Sequence, residues 1–180
     1  VNGQDSNDTY IISGNANETQ TVTNNNGTIE NSITIQVSGS NKAFDFQTGS
    51  STSTFLNQGT IIGGNNAASV QVSENNQAGA TINTFNNQGI IGNGSSKFGV
   101  VVYGINNSKS TIDNFINSGT ISSNASESIF FTNTNIQTFN NNSGTIKSTS
   151  GKGINIATGV SIGSFNNSGI IEGNKLGSGI

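Results

Sequence analysis

Cysteine, histidine, arginine, methionine, tryptophan and proline are all missing from this 180-residue chain. Without cysteine there is no disulfide framework and no thiolate metal site. Without histidine or arginine, general acid–base chemistry would fall to carboxylates or lysine. Six lysines and no arginine give no basic face of the kind a nucleic-acid partner requires. No apolar run approaches the roughly 20 residues of a membrane span. The opening residues, Val1-Asn2-Gly3-Gln4-Asp5, do not form a signal peptide. Helix is disfavoured throughout: no window spaces its apolar residues at i, i+3, i+4 and i+7, and the dominant residue types are poor in helix interiors.

What remains is asparagine, serine, threonine and glycine, with 32 Asn and 24 Gly, a net charge of −3 and only 30% hydrophobic residues. Low hydrophobicity usually means disorder, but disorder comes with high charge and little periodicity. Here charged residues are only 8% of the chain, and the apolar residues are few and regularly placed. That favours a thin, repetitive core.

The repeat is Phe-x-Asn-x-Gly-x-Ile. It occurs at Phe55-x-Asn57-x-Gly59-x-Ile61, Phe85-x-Asn87-x-Gly89-x-Ile91, Phe115-x-Asn117-x-Gly119-x-Ile121 and Phe165-x-Asn167-x-Gly169-x-Ile171. Two looser copies carry one extra residue, at Val22…Asn25-x-Gly27-x-Ile29 and Phe139…Asn142-x-Gly144-x-Ile146. The glycine spacing sets a period of 25 to 32 residues, which decides the architecture. Each unit also holds an apolar run, such as Val70-Gln71-Val72, Val100-Val101-Val102-Tyr103, Ile129-Phe130-Phe131 or Ile154-Asn155-Ile156. Before the regular units, strands are expected at Thr9–Ser13, Thr19–Asn24, Gly27–Ile29, Ser32–Val37 and Ala43–Phe46.

Three short strands per repeat, joined by polar loops, cannot form hairpins within their own unit. They can pair with the same strand in the next unit. The expected fold is all-β: a parallel β-helix, or β-solenoid, of about six coils, each adding roughly 4.8 Å to a rod about 30 Å long. Residues 1–180 form one such segment, and because the chain starts and stops mid-pattern it is expected to belong to a longer array or assembly. Inward Phe and Ile then stack as columns. The Asn at each corner is expected to hydrogen-bond to its counterparts along the axis and to tolerate a left-handed backbone there. The Gly gives the chain room to turn without a Cβ. A lone coil buries too little to fold, so stacking is obligatory.

The corners Asn57-Gln58-Gly59-Thr60-Ile61, Asn117-Ser118-Gly119-Thr120-Ile121 and Ser143-Gly144-Thr145-Ile146 resemble those in the passenger regions of bacterial autotransporters, the type V secreted proteins. Asparagine richness makes the vacuolating-cytotoxin-like passengers the nearest in style. The resemblance covers residues 19 to 176. It implies a right-handed β-helix, export to the bacterial surface or beyond, and a role as stalk, adhesin or self-association module.

Little in the sequence points to chemistry. The acids Asp5, Asp8, Glu18, Glu30, Asp45, Glu74, Asp113, Glu127 and Glu172 fall about one per coil and read as solvated surface charge. The Asp5 and Asp8 pair offers a cation at most weak binding, since Asn-rich ends usually fray. Gly63-Gly64 and Gly92-x-Gly94 precede no helix, so they are not phosphate loops. The Phe column reads as core. Tyr103 is an isolated aromatic. No catalytic, cofactor or metal residue is assigned. Thr60, Thr120 and Thr145 suggest a polar ladder on an outer face. Three readings follow: a non-catalytic extracellular structural or adhesive β-helix, whose partners are copies of itself or cell-surface molecules; a subunit of an end-to-end filament; or a carbohydrate-binding or carbohydrate-cleaving β-helix.

Overall fold

The structure, a computed structural model, describes residues 8–13, 17–23, 26–93 and 96–174. Among the described residues there is no helix, and nineteen short strands wind into three parallel sheets. The first sheet has seven strands in the order β1 (Thr9–Ile12), β3 (Thr28–Asn31), β6 (Ser51–Asn57), β9 (Thr81–Asn87), β12 (Ser110–Asn117), β15 (Thr134–Asn141) and β18 (Ser161–Asn167). The second runs β4 (Thr34–Gln36), β7 (Thr60–Ile62), β10 (Ile90–Ile91), β13 (Thr120–Ser123), β16 (Thr145–Ser148) and β19 (Ile170–Glu172). The third runs β2 (Gln20–Val22), β5 (Phe44–Phe46), β8 (Ala68–Val72), β11 (Phe98–Val102), β14 (Ile129–Phe131) and β17 (Ile154–Ile156). Each strand pairs only with its equivalents one coil away, so the molecule is a β-solenoid of about six turns with three strands per coil.

The core follows from this register. Phe55, Phe85, Phe115, Phe139 and Phe165 are aligned residue for residue in the first sheet. From Phe85 onward their rings stack nearly parallel, with centroids 4.7, 4.9 and 4.7 Å apart. That spacing is the strand spacing itself, so the backbone ladder and the ring stack reinforce each other. Ile61, Ile91, Ile121, Ile146 and Ile171 form the second sheet's column. The third sheet supplies Phe44–Val70–Val100–Ile129–Ile154 and Val22–Phe46–Val72–Val102–Phe131–Ile156. Edge-on ring contacts, such as Phe44 to Phe55 at 5.0 Å, tie the third sheet to the first.

One buried Thr stands in an otherwise aliphatic column. Thr52 aligns with Ile82, Ile112, Ile136 and Ile162, is fully buried, and its hydroxyl has no hydrogen-bond partner.

The corner residues form a continuous ladder. Asn31, Asn57, Asn87, Asn117, Asn141 and Asn167 follow one another, each Nδ2 donating to the next Oδ1 at 2.7–2.8 Å. Each Nδ2 also donates to its own corner carbonyl, that of Gly59, Gly89 or Gly119 at 3.3 Å and that of Gly144 at 3.1 Å. A buried amide is thus satisfied within the stack.

Two looser copies are set differently from the sequence reading. The first coil's ladder residue is Asn31; Asn25 lies outside the described residues. Ile29 aligns with Phe55, not Ile61, while Ile35 aligns with Ile61. Gly27 lies just before β3, where its carbonyl accepts from Ser53 and Thr54, and Val22 belongs to the third sheet beside Phe46. The expected strand Ser32–Val37 is correspondingly broken at a corner, leaving Thr34–Gln36. The physical reason lies in the glycine column. A Cβ on Gly59, Gly89, Gly119 or Gly169 would run into the carbonyl oxygen of the coil before it. Among the described residues β4 is the edge strand of its sheet, and Ile33 stands there at the position that glycine holds in the later coils, which disguises the repeat.

In the fifth copy the ladder residue is Asn141, and Asn142 is exposed. The extra residue follows the ladder Asn, and Ser143 absorbs it with a left-handed φ of 60°. None of the described ladder asparagines has positive φ. They sit at the corners for their amides, not for left-handed backbone, and the glycines serve close stacking. With the true register the coils are 24 to 30 residues long.

Candidate functional site

Outside the core, the three sheets differ. On the first, the outward columns are uncharged for most of their length, as in Thr54–Thr84–Asn114–Thr138–Ser164. On the second, the expected threonine ladder Thr60, Thr120, Thr145 is interrupted by exposed Ile90 and Ile170. A shallow depression lined by Asn17, Gln36, Val37 and Ser38 holds no titratable group.

The third sheet is the exception. Its outward column reads Thr21, Asp45, Gln71, Val101, Phe130 and Asn155. Although outward-facing, Asp45 and Gln71 are each only 8% exposed and Val101 only 1%. Neighbouring side chains therefore wall this face into a trough.

Lys42 and Asp45 flank the start of β5, and Glu74 follows β8, which places all three at one end of the trough. The Lys42 ammonium lies 3.2 Å from both Asp45 oxygens and pairs also with Glu74. Gln47 donates to Asp45 at 2.7 Å. Burial pushes the Asp45 carboxyl above its ordinary range, against the opposing pull of Lys42. Burial likewise raises the Tyr103 phenol, aided by the Glu74 charge. The ammonium sits between the two carboxylates, so their charge is met by Lys42 and not left open to a cation.

Past this cluster the trough becomes aromatic. Phe130 lies between Phe98, at 6.2 Å, and Tyr103, at 6.0 Å, the two flanking rings inclined to it by 40° and 61° in a row across the sheet. All three are half-buried, and Lys97 Nζ lies 5.4 Å from the Phe98 centroid. Glu127, on the next coil, accepts from Ser126 and from Asn155 at 3.3 Å.

The reading of one solvated acid per coil therefore fails where the trough lies. Asp8 and Glu18 are exposed, and Glu172 makes an exposed pair with Lys147 at 3.2 Å. Asp45, however, is buried and joined to Glu74 through Lys42. Tyr103 is not isolated. Asp5 and Gly94 lie outside the described residues. The one signal available in the sequence was the set of aromatics off the Phe column: Phe98, Tyr103 and Phe130 all belong to the apolar run of each unit, where an outward ring has no core to fill.

Fold and site together define a three-sided parallel β-solenoid with an internal asparagine ladder and one decorated outer face. Comparison with family models, with curated proteins and with solved structures finds no match for the chain.

Proposed function

We propose that this chain is a non-catalytic structural and adhesive β-helix of the bacterial surface or extracellular space, serving as stalk, adhesin or self-association module. The observation that carries this reading is where the repeat's residues go. Phe, Asn, Gly and Ile of each regular copy are used up in building the coil, in the ring stack, the amide ladder, the close approach and the aliphatic column. Repetition here makes shape, and an extended repetitive shape suits a spacer or a presenting surface. Among the described residues, the carboxylates of Asp45 and Glu74 share Lys42, so neither stands as a free acid or base beside the other. The autotransporter-like corners Asn-x-Gly-Thr-Ile support the assignment to an exported surface protein.

The end-to-end filament is the second reading. In its favour, Asn167 ends the described ladder, and Phe165 and Ile170 on the same coil are exposed. Against it, the other end of the ladder is closed: Ile12 stands in register with Asn31, whose buried Oδ1 has no partner. A copy stacked there would offer Ile12, not an amide oxygen, to Asn167.

Sedimentation velocity over a wide concentration range, with electron microscopy, tests both. Short rods at every concentration support the scaffold; long rods growing with concentration support the filament. Release of reducing ends from polysaccharide substrates would overturn the non-catalytic reading.

A further inference from the structure

The trough on the third sheet has a composition that a scaffold alone does not require. Three rings lie in a row and partly uncovered, where polar side chains would serve solubility better. Amide and carboxyl groups flank them along the axis: Gln71 and Asp45 on one side, Asn155 and Glu127 on the other. Val101, the neighbour of Phe130 one coil away in the column, is almost completely covered, and each of the three rings keeps part of its surface open above it.

From these groups we infer that the trough binds a neutral, linear polysaccharide, its pyranose rings lying on Phe98, Phe130 and Tyr103. A pyranose has an apolar face of C–H bonds that sits against an aromatic ring, and a rim of hydroxyls that needs donors and acceptors at the ring's edge. The trough offers both in that order. The ring centroids follow one another at 6.2 and 6.0 Å across the sheet, so a glycan lying across the strands meets one ring after the next. Charge decides against polyanions. Lys42 and Lys97 on this face stand against Asp45, Glu74 and Glu127, two cations to three carboxylates, so there is no excess of positive charge. A uronate polymer or a nucleic acid gains nothing from such a surface. Lys42 holds Asp45 and Gln47 holds the same carboxylate, so the polar rim is preorganised for binding.

This inference refines the adhesive reading and rests on it for its biological sense, but the test separates them. The purified chain is run through affinity gels containing β-1,4-glucan, β-1,3-glucan or soluble β-1,4-N-acetylglucosamine polymer, with polygalacturonate as the anionic comparison. The expected result is retardation by at least one neutral polymer and none by polygalacturonate. Tyr103→Ala and Phe130→Leu should each weaken retardation about tenfold or more, which is the scale of one lost ring contact of about 1.4 kcal/mol. Asn114→Ala, on the first sheet's outer face, should change nothing. Thermal unfolding of each variant checks that the coil persists, and Tyr103→Phe, which keeps the ring, should retain most of the binding. No retardation by any neutral polymer, undiminished retardation of Tyr103→Ala and Phe130→Leu relative to the parent chain, or stronger retention by polygalacturonate would each overturn the inference. None of these results changes the sedimentation behaviour on which the scaffold reading depends.

Discussion

The inside of the coil and the outside of its third sheet are built by opposite rules. Inside, like stands on like: Phe85 on Phe115 on Phe139, Asn87 on Asn117 on Asn141. Outside, no neighbour in the column is repeated, as Asp45 gives way to Gln71, Val101, Phe130 and Asn155. The difference follows from what each position must satisfy. An inward side chain meets its equivalents at strand spacing, and identical groups fit that spacing with no unpaired atom. An outward one is free of that demand, so its identity carries information about something other than folding.

Breaking the inside should therefore cost far more than altering the outside. The largest effect is expected from Gly119→Ala. Its Cβ would collide with the Gly89 carbonyl of the previous coil, and rigid backbone on both sides leaves no route for relief. We expect a loss of about 4 kcal/mol or failure to fold, read by urea unfolding. Next comes Asn117→Ala. It removes the donor to Asn141 and the acceptor from Asn87, leaving buried amide atoms unpaired, at a cost of about 3 kcal/mol. Asn142→Ala, one residue beyond the ladder, should shift the same midpoint by less than about 0.5 kcal/mol.

A smaller effect of opposite sign sharpens the rule. Thr52 breaks its column with a buried, unpartnered hydroxyl. Thr52→Val keeps the shape and removes the orphan, and should stabilise the chain by about 1 kcal/mol. The smallest effect belongs to the trough. Burial raises the Asp45 carboxyl, so the folded chain holds that proton more tightly than the unfolded chain does. The group's contribution is then greatest below the ordinary aspartate range and is lost as pH rises through the raised value. Relative to Asp45→Asn, the parent's urea midpoint should fall as pH rises from the ordinary aspartate range through the raised value. A rise would mean that the Lys42 pairing outweighs the burial.

The same contrast explains what could be read from the sequence. The four regular copies declare their fold because stacking forces Phe, Asn, Gly and Ile to recur. In the fifth copy the sequence points one residue too far, since Asn140, Asn141 and Asn142 are alike and only the ring register of Phe139 chooses among them. In the first copy it misleads further. Asn25-Asn26-Gly27-Thr28-Ile29 imitates a corner in sequence, while the real corner, Asn31-Ser32-Ile33-Thr34-Ile35, carries Ile33 where the later corners carry glycine. Of the trough, only the aromatics off the Phe column, Phe98, Tyr103 and Phe130, are legible in the sequence. Lys42 and Glu74 lie one coil apart, and with coils of 24 to 30 residues their meeting depends on loop lengths that only the closed structure fixes.

Side-chain amide hydrogen exchange, followed by NMR on asparagine-labelled protein, tests the stacking most directly. The NH₂ groups of Asn57, Asn87, Asn117 and Asn141 should exchange slowly and show contacts from each to the next, while that of Asn142 exchanges at the rate of a free amide. Fast exchange at Asn87 and Asn117, or protection at Asn142 in place of Asn141, would contradict the ladder and the register built on it.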